Sequence, residues 1–291
     1  MDDSRHDVPA NAWVEQPRDD GRRTFLTASL ASGFALAVQP VSAETIITDT
    51  SGLTAGMVEM ATSDGRIPAY RAHPAASVAA PVVVVVQEIF GVHEHIKDVC
   101  RRLAKLGYYA IAPELYFRAG DPAKLPDGAT IVAQILPRIT DRQVMSDIDS
   151  TVAFAKGEGA LSERLGITGF CWGGRVVWLY SAHNPALKAG VAWYGRITAA
   201  KSEQTPQHPI DIVGDIRAPV LGLYGAADAG IPVEDVKKME AALKAAGKKT
   251  EIVIYPDTPH GFHADYRASY REANARDGFD RLKAWFKANG V

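Results

Sequence analysis

Three residues at the ends of predicted strands have the types and order needed for nucleophilic acyl chemistry. Cys171 lies in Gly169-Phe170-Cys171-Trp172-Gly173-Gly174, between an apolar run (165–170) that predicts a buried strand and another (175–182) that predicts a helix. A Gly-x-Cys-x-Gly turn between strand and helix is tight enough to present one side chain at the head of the helix. There the orphan N–H groups and the positive dipole end favour a thiolate. Asp228 follows the apolar run 221–225, and His260 follows 252–256. In this reading Cys171 attacks an acyl carbon. His260 assists thiolate formation and then protonates the leaving alkoxide, while Asp228 orients the imidazole and stabilises its cation. The competing readings are a structural cysteine in a Gly-rich turn, a helix-capping aspartate and a loop histidine. His263 also follows the last strand, but Pro259 and Gly261 shape a turn around His260.

An acyl-transfer site also needs two N–H donors for the oxyanion. Trp172, directly after the nucleophile, supplies one candidate. Ile89, in the loop after five consecutive valines (82–86), supplies the other. Glu88 stands beside it, an odd place for a carboxylate. It is either hydrogen-bonded structure or part of the site.

The elements that must position these groups follow from hydrophobic patterning. Residues 57–62 and 67–73 alternate around Ser63-Asp64-Gly65, which predicts an antiparallel hairpin. The valine run predicts a strand buried on both faces. Beyond it, strand patterns (108–112, 165–170, 188–194, 219–224, 251–255) alternate with helical ones (96–106, 144–156, 175–182, 233–246, 270–288). This alternation predicts an α/β fold with a mostly parallel central sheet, an antiparallel N-terminal hairpin and helices on both faces. The irregular stretches 118–142 and 196–217 read either as covers of a site or as surface insertions.

Bulk properties exclude several classes. The 291 residues carry a formal net charge of −2, with no basic stripe and no aromatic-basic interleaving, so neither nucleic acid nor a membrane surface is an expected partner. Two distant cysteines make no disulfide framework or zinc site, and no metal is expected. Cys100 shares a helical face with Ile96, Val99, Leu103 and Leu106 and reads as core. Near the N-terminus, Arg22-Arg23-Thr24-Phe25-Leu26 precedes a moderately apolar stretch (25–38) and Val41-Ser42-Ala43. Residues 1–43 therefore read as a twin-arginine export signal and 44–291 as a single domain, exported to the periplasm. A disordered tail on a cytoplasmic protein is the alternative.

Val86-Gln87-Glu88-Ile89-Phe90-Gly91, Ala112-Pro113-Glu114-Leu115-Tyr116, the cysteine turn, Trp193-Tyr194-Gly195, Asp228 and His260-Gly261-Phe262 together resemble the dienelactone hydrolase family (carboxymethylenebutenolidases). The resemblance implies the α/β-hydrolase fold, with Cys171, Asp228 and His260 as a triad and Glu88 as the glutamate that pairs with the resting cysteine. It implies hydrolysis of a lactone or small ester through an acyl-enzyme, without metal or cofactor, by a monomer. The family holds its substrate's carboxylate with two arginines. One lies four residues after the catalytic histidine, where this chain has Ala264. The candidates for that role are Arg118, which matches a family Tyr-x-Arg motif, with Arg138, Arg142 and Arg267; Tyr194 and Arg196 could line the pocket. Two other classes fit the same residues: a thiol redox sensor, and a small-molecule binding protein without turnover.

Overall fold

A strand made only of valine has no polar face to offer water, and the chain places it where none is needed. In the computed structural model, which describes residues 46–291, that run is β3 (Pro81–Val86), and all five valines are fully buried. β3 pairs in parallel with β4 (Tyr109–Pro113) on one side and β5 (Leu161–Phe170) on the other. The hairpin predicted around Ser63-Asp64-Gly65 is β1 (Leu53–Thr62) and β2 (Gly65–Pro74), with β2 antiparallel to β4. β6 (Ala189–Trp193), β7 (Val220–Gly225) and β8 (Thr250–Tyr255) extend the sheet in parallel, giving the order β1-β2-β4-β3-β5-β6-β7-β8. The twin-arginine expectation concerns residues outside those described.

The strand order fixes where chemistry can gather. From β3 the chain runs outward to β4, then crosses back past β3 to β5. Ligands of open parallel sheets bind in the crevice beyond the strand ends where the winding reverses. Here that crevice receives the loop after β3 and the turn after β5, which begin at the paired positions Val86 and Gly169.

Helices cover both sides of the sheet. They are α1 (Glu94–Lys105), α2 (Gly128–Gln134), α3 (Asp141–Gly157), α4 (Trp172–His183), α5 (Val233–Ala245) and α6 (Glu272–Ala288). A Cβ added to Gly190 would meet Val177 of α4, and one on Gly222 would meet Trp178 of the same helix. On the opposite face, Gly166 looks at Phe286 of α6, and Gly278 of α6 packs on Trp193. Ile96, Val99, Cys100 and Leu103 of α1 are buried as their spacing predicts, but Leu106 is 47% exposed because the helix ends one residue before it.

The two stretches read as irregular are more ordered than their patterning suggests. Residues 118–142 contain α2, whose N-cap Asp127 accepts from Thr130 N, and two short 3-10 turns. Such brief, cap-driven elements leave no apolar period to read. In 196–217 a 3-10 helix (Pro209–Asp215) starts at a capping box between His208 and Asp211. Arg175, in the first turns of α4, ties both stretches down. It grips Asp141 with two hydrogen bonds (2.7 and 2.8 Å) and donates to Gln207 O at 2.6 Å.

Candidate active site

The turn after β5 holds its central residue in a conformation few side chains adopt. Cys171 has φ 57° and ψ −113°, and it opens α4 as the N-cap. Its N–H is bonded to Trp193 O (3.0 Å), and its carbonyl accepts from Gly174 and Arg175. The neighbouring glycines allow this because backbone fills the space where their side chains would be. A Cβ on Gly173 would lie 2.5 Å from the carbonyl oxygens of Val86 and Gln87, and one on Gly174 would lie 2.4 Å from Trp193 O. Gly195, of Trp193-Tyr194-Gly195, packs on Gly174 in the same way. Three strand-end loops therefore interlock around one sulfur. Backbone strain of this kind is held by its surroundings and gathers at functional sites.

Asp228 and His260 come from the next loops along the sheet. Asp228 Oδ1 accepts from the N–H groups of Gly230 (2.8 Å) and Ile231 (3.1 Å), which fixes the carboxylate. Its Oδ2 lies 2.6 Å from His260 Nδ1. The opposite ring nitrogen is left for Cys171, which acts on the imidazole both as a charge and as a hydrogen-bond partner. Burial alone would push His260 down, but Asp228 and then Cys171 outweigh it, and the imidazolium persists up to about 10. Cys171, Asp228 and His260 are buried together. His263, the rival by sequence, stacks instead on Phe170 (5.0 Å) and lies 4.5 Å from Trp193. Burial, helped by His95 and Arg102, keeps its pKa well below the ordinary histidine value, so it is a neutral ring in an aromatic layer.

The oxyanion candidates lie where the loops interlock. Trp172 is the first residue of α4, so its N–H has no carbonyl of the preceding turn to bond. Ile89 is fully buried in the loop after β3, whose carbonyls press on Gly173.

Glu88 differs from its expected role. Its carboxylate partners are Tyr266, whose hydroxyl donates at 2.6 Å, His93 (Nε2 at 3.4 Å) and Arg267 (Nη1 at 3.8 Å), rather than the thiol of Cys171. Burial would raise this acid, but the adjacent His93 ring and the charge of Arg267 win and hold it well below the usual carboxylate range. A second layer locks the His260 loop in place: Asp265 takes His95 at 3.2 Å and Arg102 at 2.5 Å.

The arginines separate into two groups. Arg118 is consumed by Asp147 (2.8 Å), Thr62 (2.7 Å) and Asp64, which fastens the β1–β2 turn to α3. Arg138 donates to Ala119 O at 2.6 Å and lines a cavity of about 230 Å³ with Arg118, while Arg142 is exposed on α3. None of the three has Cys171, Asp228 or His260 as a partner. Arg118 matched a family motif, but its ion pairs with Asp147 and Asp64 decide where it goes, and Arg138 is held by a backbone carbonyl. Arg267 is 2% exposed beside Glu88, and its guanidinium lies against Gly261. Arg196 is half-buried and feels the charges of Cys171 and Asp228. Tyr194 (φ 37°) sets its ring edge-on to His260 at 5.0 Å. Sequence reasoning passed over His93, Tyr266, Gln87 and the site-facing role of Tyr116. Tyr116, from the loop after β4, lies edge-on to Trp172 at 4.9 Å. Only Gln87 and Tyr116 had a signal, since both belong to the motifs quoted above.

Comparisons with known proteins agree with this architecture. A model of the dienelactone hydrolase family matches residues 67–290. A Methylorubrum extorquens relative that carries a carboxymethylenebutenolidase name is 60% identical over 272 residues, covering 93% of this chain and 94% of the relative. A Bradyrhizobium protein that carries a 2-oxo-3-(5-oxofuran-2-ylidene)propanoate lactonase name is 29% identical over 242 residues, covering 82% of this chain and 96% of its own. A crystal structure named for dienelactone hydrolase, from Klebsiella pneumoniae, superposes with a TM-score of 0.79 at 53% identity and covers 81% of this chain and 98% of its own.

Proposed function

Because this chain belongs to the dienelactone hydrolase family, we propose that it hydrolyses a lactone or small carboxylic ester through an acyl-cysteine on Cys171. The observation that carries the reading is the alignment of Asp228, His260 and Cys171, with a 2.6 Å bond from imidazole to carboxylate at a strained turn. The thiolate of Cys171 attacks the acyl carbon, and the N–H groups of Trp172 and Ile89 receive the tetrahedral oxyanion. Collapse breaks the C–O bond, and the His260 imidazolium gives its proton to the departing alkoxide or enolate. His260, now neutral, takes a proton from water as the water attacks the thioester. Breakdown of that second intermediate releases the acid and restores the thiolate and imidazolium. No metal or cofactor takes part in these steps.

Arg267, with Arg196 nearer the triad, is the proposed recognition group for an acidic substrate, because both are cationic and border the buried groups. Turnover of an aryl ester by the parent, Cys171→Ala and Cys100→Ala tests the mechanism. Loss confined to Cys171→Ala, with a rapidly quenched parent carrying an acyl mass on the peptide of Cys171, is expected. Full activity of Cys171→Ala overturns it. We also propose export by the twin-arginine route, on the motif at Arg22-Arg23. N-terminal sequencing of periplasmic protein is expected to begin near Glu44, and an intact Met1 end argues against it.

A further inference from the structure

Beside the sulfur lies a pair of polar side chains that the acyl-transfer steps do not use. Gln87 and Tyr116 are both 0% exposed. Neither the two amide atoms of Gln87 nor the Tyr116 hydroxyl has a hydrogen bond of ordinary geometry in the structure. Leaving three polar atoms unsatisfied in a dry interior costs about 1–3 kcal/mol each, so native proteins do so rarely and where a ligand or water completes the set. The arrangement is held firmly. The Gln87 backbone is wedged against Gly173 of the elbow, and the Tyr116 ring is fixed edge-on to Trp172 at 4.9 Å. The Gln87 amide reaches toward the phenol oxygen, and that oxygen is close enough to Cys171 to feel its charge. The pair therefore borders the reacting centre, on the side of β4 and away from His260.

The chemistry of the pair selects its ligand. A Gln amide offers two N–H donors and a carbonyl acceptor, and a Tyr hydroxyl offers one donor and one acceptor. When one amide N–H turns to the phenol oxygen, what remains for a ligand is the Tyr116 O–H, the second amide N–H and one carbonyl acceptor. A carboxylate accepts only, and it would face the Gln87 carbonyl and the neighbouring Glu88 charge. A ketone would leave the Gln87 carbonyl unpaired. A hydroxyl donates to the Gln87 carbonyl and, with two lone pairs, can accept from both Tyr116 and the second amide N–H, so one group meets all three. Water can take the same place before substrate binds, and a substrate hydroxyl replaces it without loss of hydrogen bonds.

We propose that Gln87 and Tyr116 form a neutral subsite beside Cys171 that binds a hydroxyl group of the substrate, so that this hydrolase prefers hydroxylated lactones. The inference rests on the acyl-hydrolase reading above and adds a specificity to it. Cys171 is itself 1% exposed, so any opening that admits an ester to the sulfur also admits it to this pair.

The test compares α-hydroxy-γ-butyrolactone and β-hydroxy-γ-butyrolactone with unsubstituted γ-butyrolactone, using 4-nitrophenyl acetate as a general ester. The parent is expected to favour at least one hydroxylated lactone by about tenfold to a hundredfold in kcat/KM, the discrimination a hydrogen-bonding subsite provides. Tyr116→Phe and Gln87→Leu are expected to bring that ratio to within about threefold of one, since each removes half of the pair. A parent without the preference overturns the subsite, as does an equal fall on all lactones with the ratio intact, the mark of a purely structural role. If Tyr116→Phe fails to fold, the parent's own ratio decides. Hydrolysis of 4-nitrophenyl acetate with no lactone preference sinks this inference alone. No hydrolysis of any of the four sinks the enzyme assignment with it.

Discussion

Asp228 gives one carboxylate oxygen to the N–H groups of Gly230 and Ile231 and the other to His260 Nδ1 at 2.6 Å, so the acid is aimed at the imidazole by its own backbone. The orientation of the imidazole thus depends on the short turn from Asp228 to Ile231. It also explains why the imidazole, although fully buried, keeps its proton. A nearby anion favours the cation by more than desolvation opposes it.

Asp228→Asn should therefore lower kcat by about 10⁴-fold, the drop seen when the acid of a serine-type triad becomes an amide. The pH profile carries the sharper signature. In the parent, His260 remains protonated until pH rises through about 10, so the limb set by loss of the general acid lies near there. Asp228 is the first of the influences that raise it, and its removal must move that limb toward neutral pH. A profile from pH 6 to 11 checks the sign. A limb that stays in place means Asp228 does not tune the imidazole.

The elbow makes a steric prediction. Gly174→Ala would place a Cβ 2.4 Å from Trp193 O and 2.8 Å from Gly195 Cα, backbone against backbone with no flexible side chain to yield. Stability should fall by about 3 kcal/mol or more, and activity should be lost with it. Gly214→Ala, where nothing lies within 4 Å, is the matched control and should change stability by less than about 0.5 kcal/mol. Urea melts of the two variants decide it.

How much of this was legible in the sequence depends on the range of each interaction. The strands were readable because a valine run or an alternating hairpin states its own environment. The loop positions of Cys171, Asp228 and His260 followed from strand ends, since Cys171 directly follows β5 and Asp228 and His260 lie in the loops just beyond β7 and β8. Tyr266 reaches Glu88 across 178 positions, and nothing local to either residue announces the partner. Arg118 shows the same limit from the other side. A family motif suggested a substrate contact, yet Asp147 and Asp64 claim the guanidinium, and the pairing exists only once β1, β2 and α3 have packed. Leu106 failed for a simpler reason. The apolar period continued past the point where the helix stopped.

The Tyr266–Glu88 contact gives a prediction in which pH reports the mechanism. Glu88 is held below its ordinary value, so its ionised form contributes stability that is present above about 4.3, the unfolded value, and lost as pH falls through the folded one. Tyr266→Phe removes a donor that favours the carboxylate, and stability at pH 7 should drop by about 1.5–3 kcal/mol, the scale of a hydrogen bond to a charged group. The gap between parent and variant should stay constant until pH falls through the folded value of the variant, which lies above that of the parent, and narrow below it, because the variant protonates Glu88 first. Denaturation followed from pH 7 down to the acid limit of the folded state measures it. A gap that stays constant down to that limit removes Glu88 ionisation from the explanation.

The two groups of arginines allow recognition to be separated from structure. Arg118 balances Asp147, whose side chain is 0% exposed, but the guanidinium is itself 29% exposed and partly screened. Arg118→Ala should destabilise the fold by about 1–3 kcal/mol, because an uncompensated buried carboxylate remains. It should leave KM for acidic and neutral esters in the same ratio as in the parent. Arg267→Ala should do the reverse to that ratio. KM for an acidic ester should rise about tenfold to a hundredfold relative to its neutral counterpart, since the recognition of a carboxylate by a buried guanidinium is charge-assisted. Arg267→Lys should recover only part of the loss, because a point charge cannot reproduce a planar two-pronged donor. Matched pairs of acidic and neutral aryl esters, with melting temperatures for each variant, measure both effects. If Arg118→Ala alters the acidic-to-neutral ratio and Arg267→Ala does not, the carboxylate is read on the side of the sheet where Asp147 lies, and the division drawn here between the two arginines is reversed.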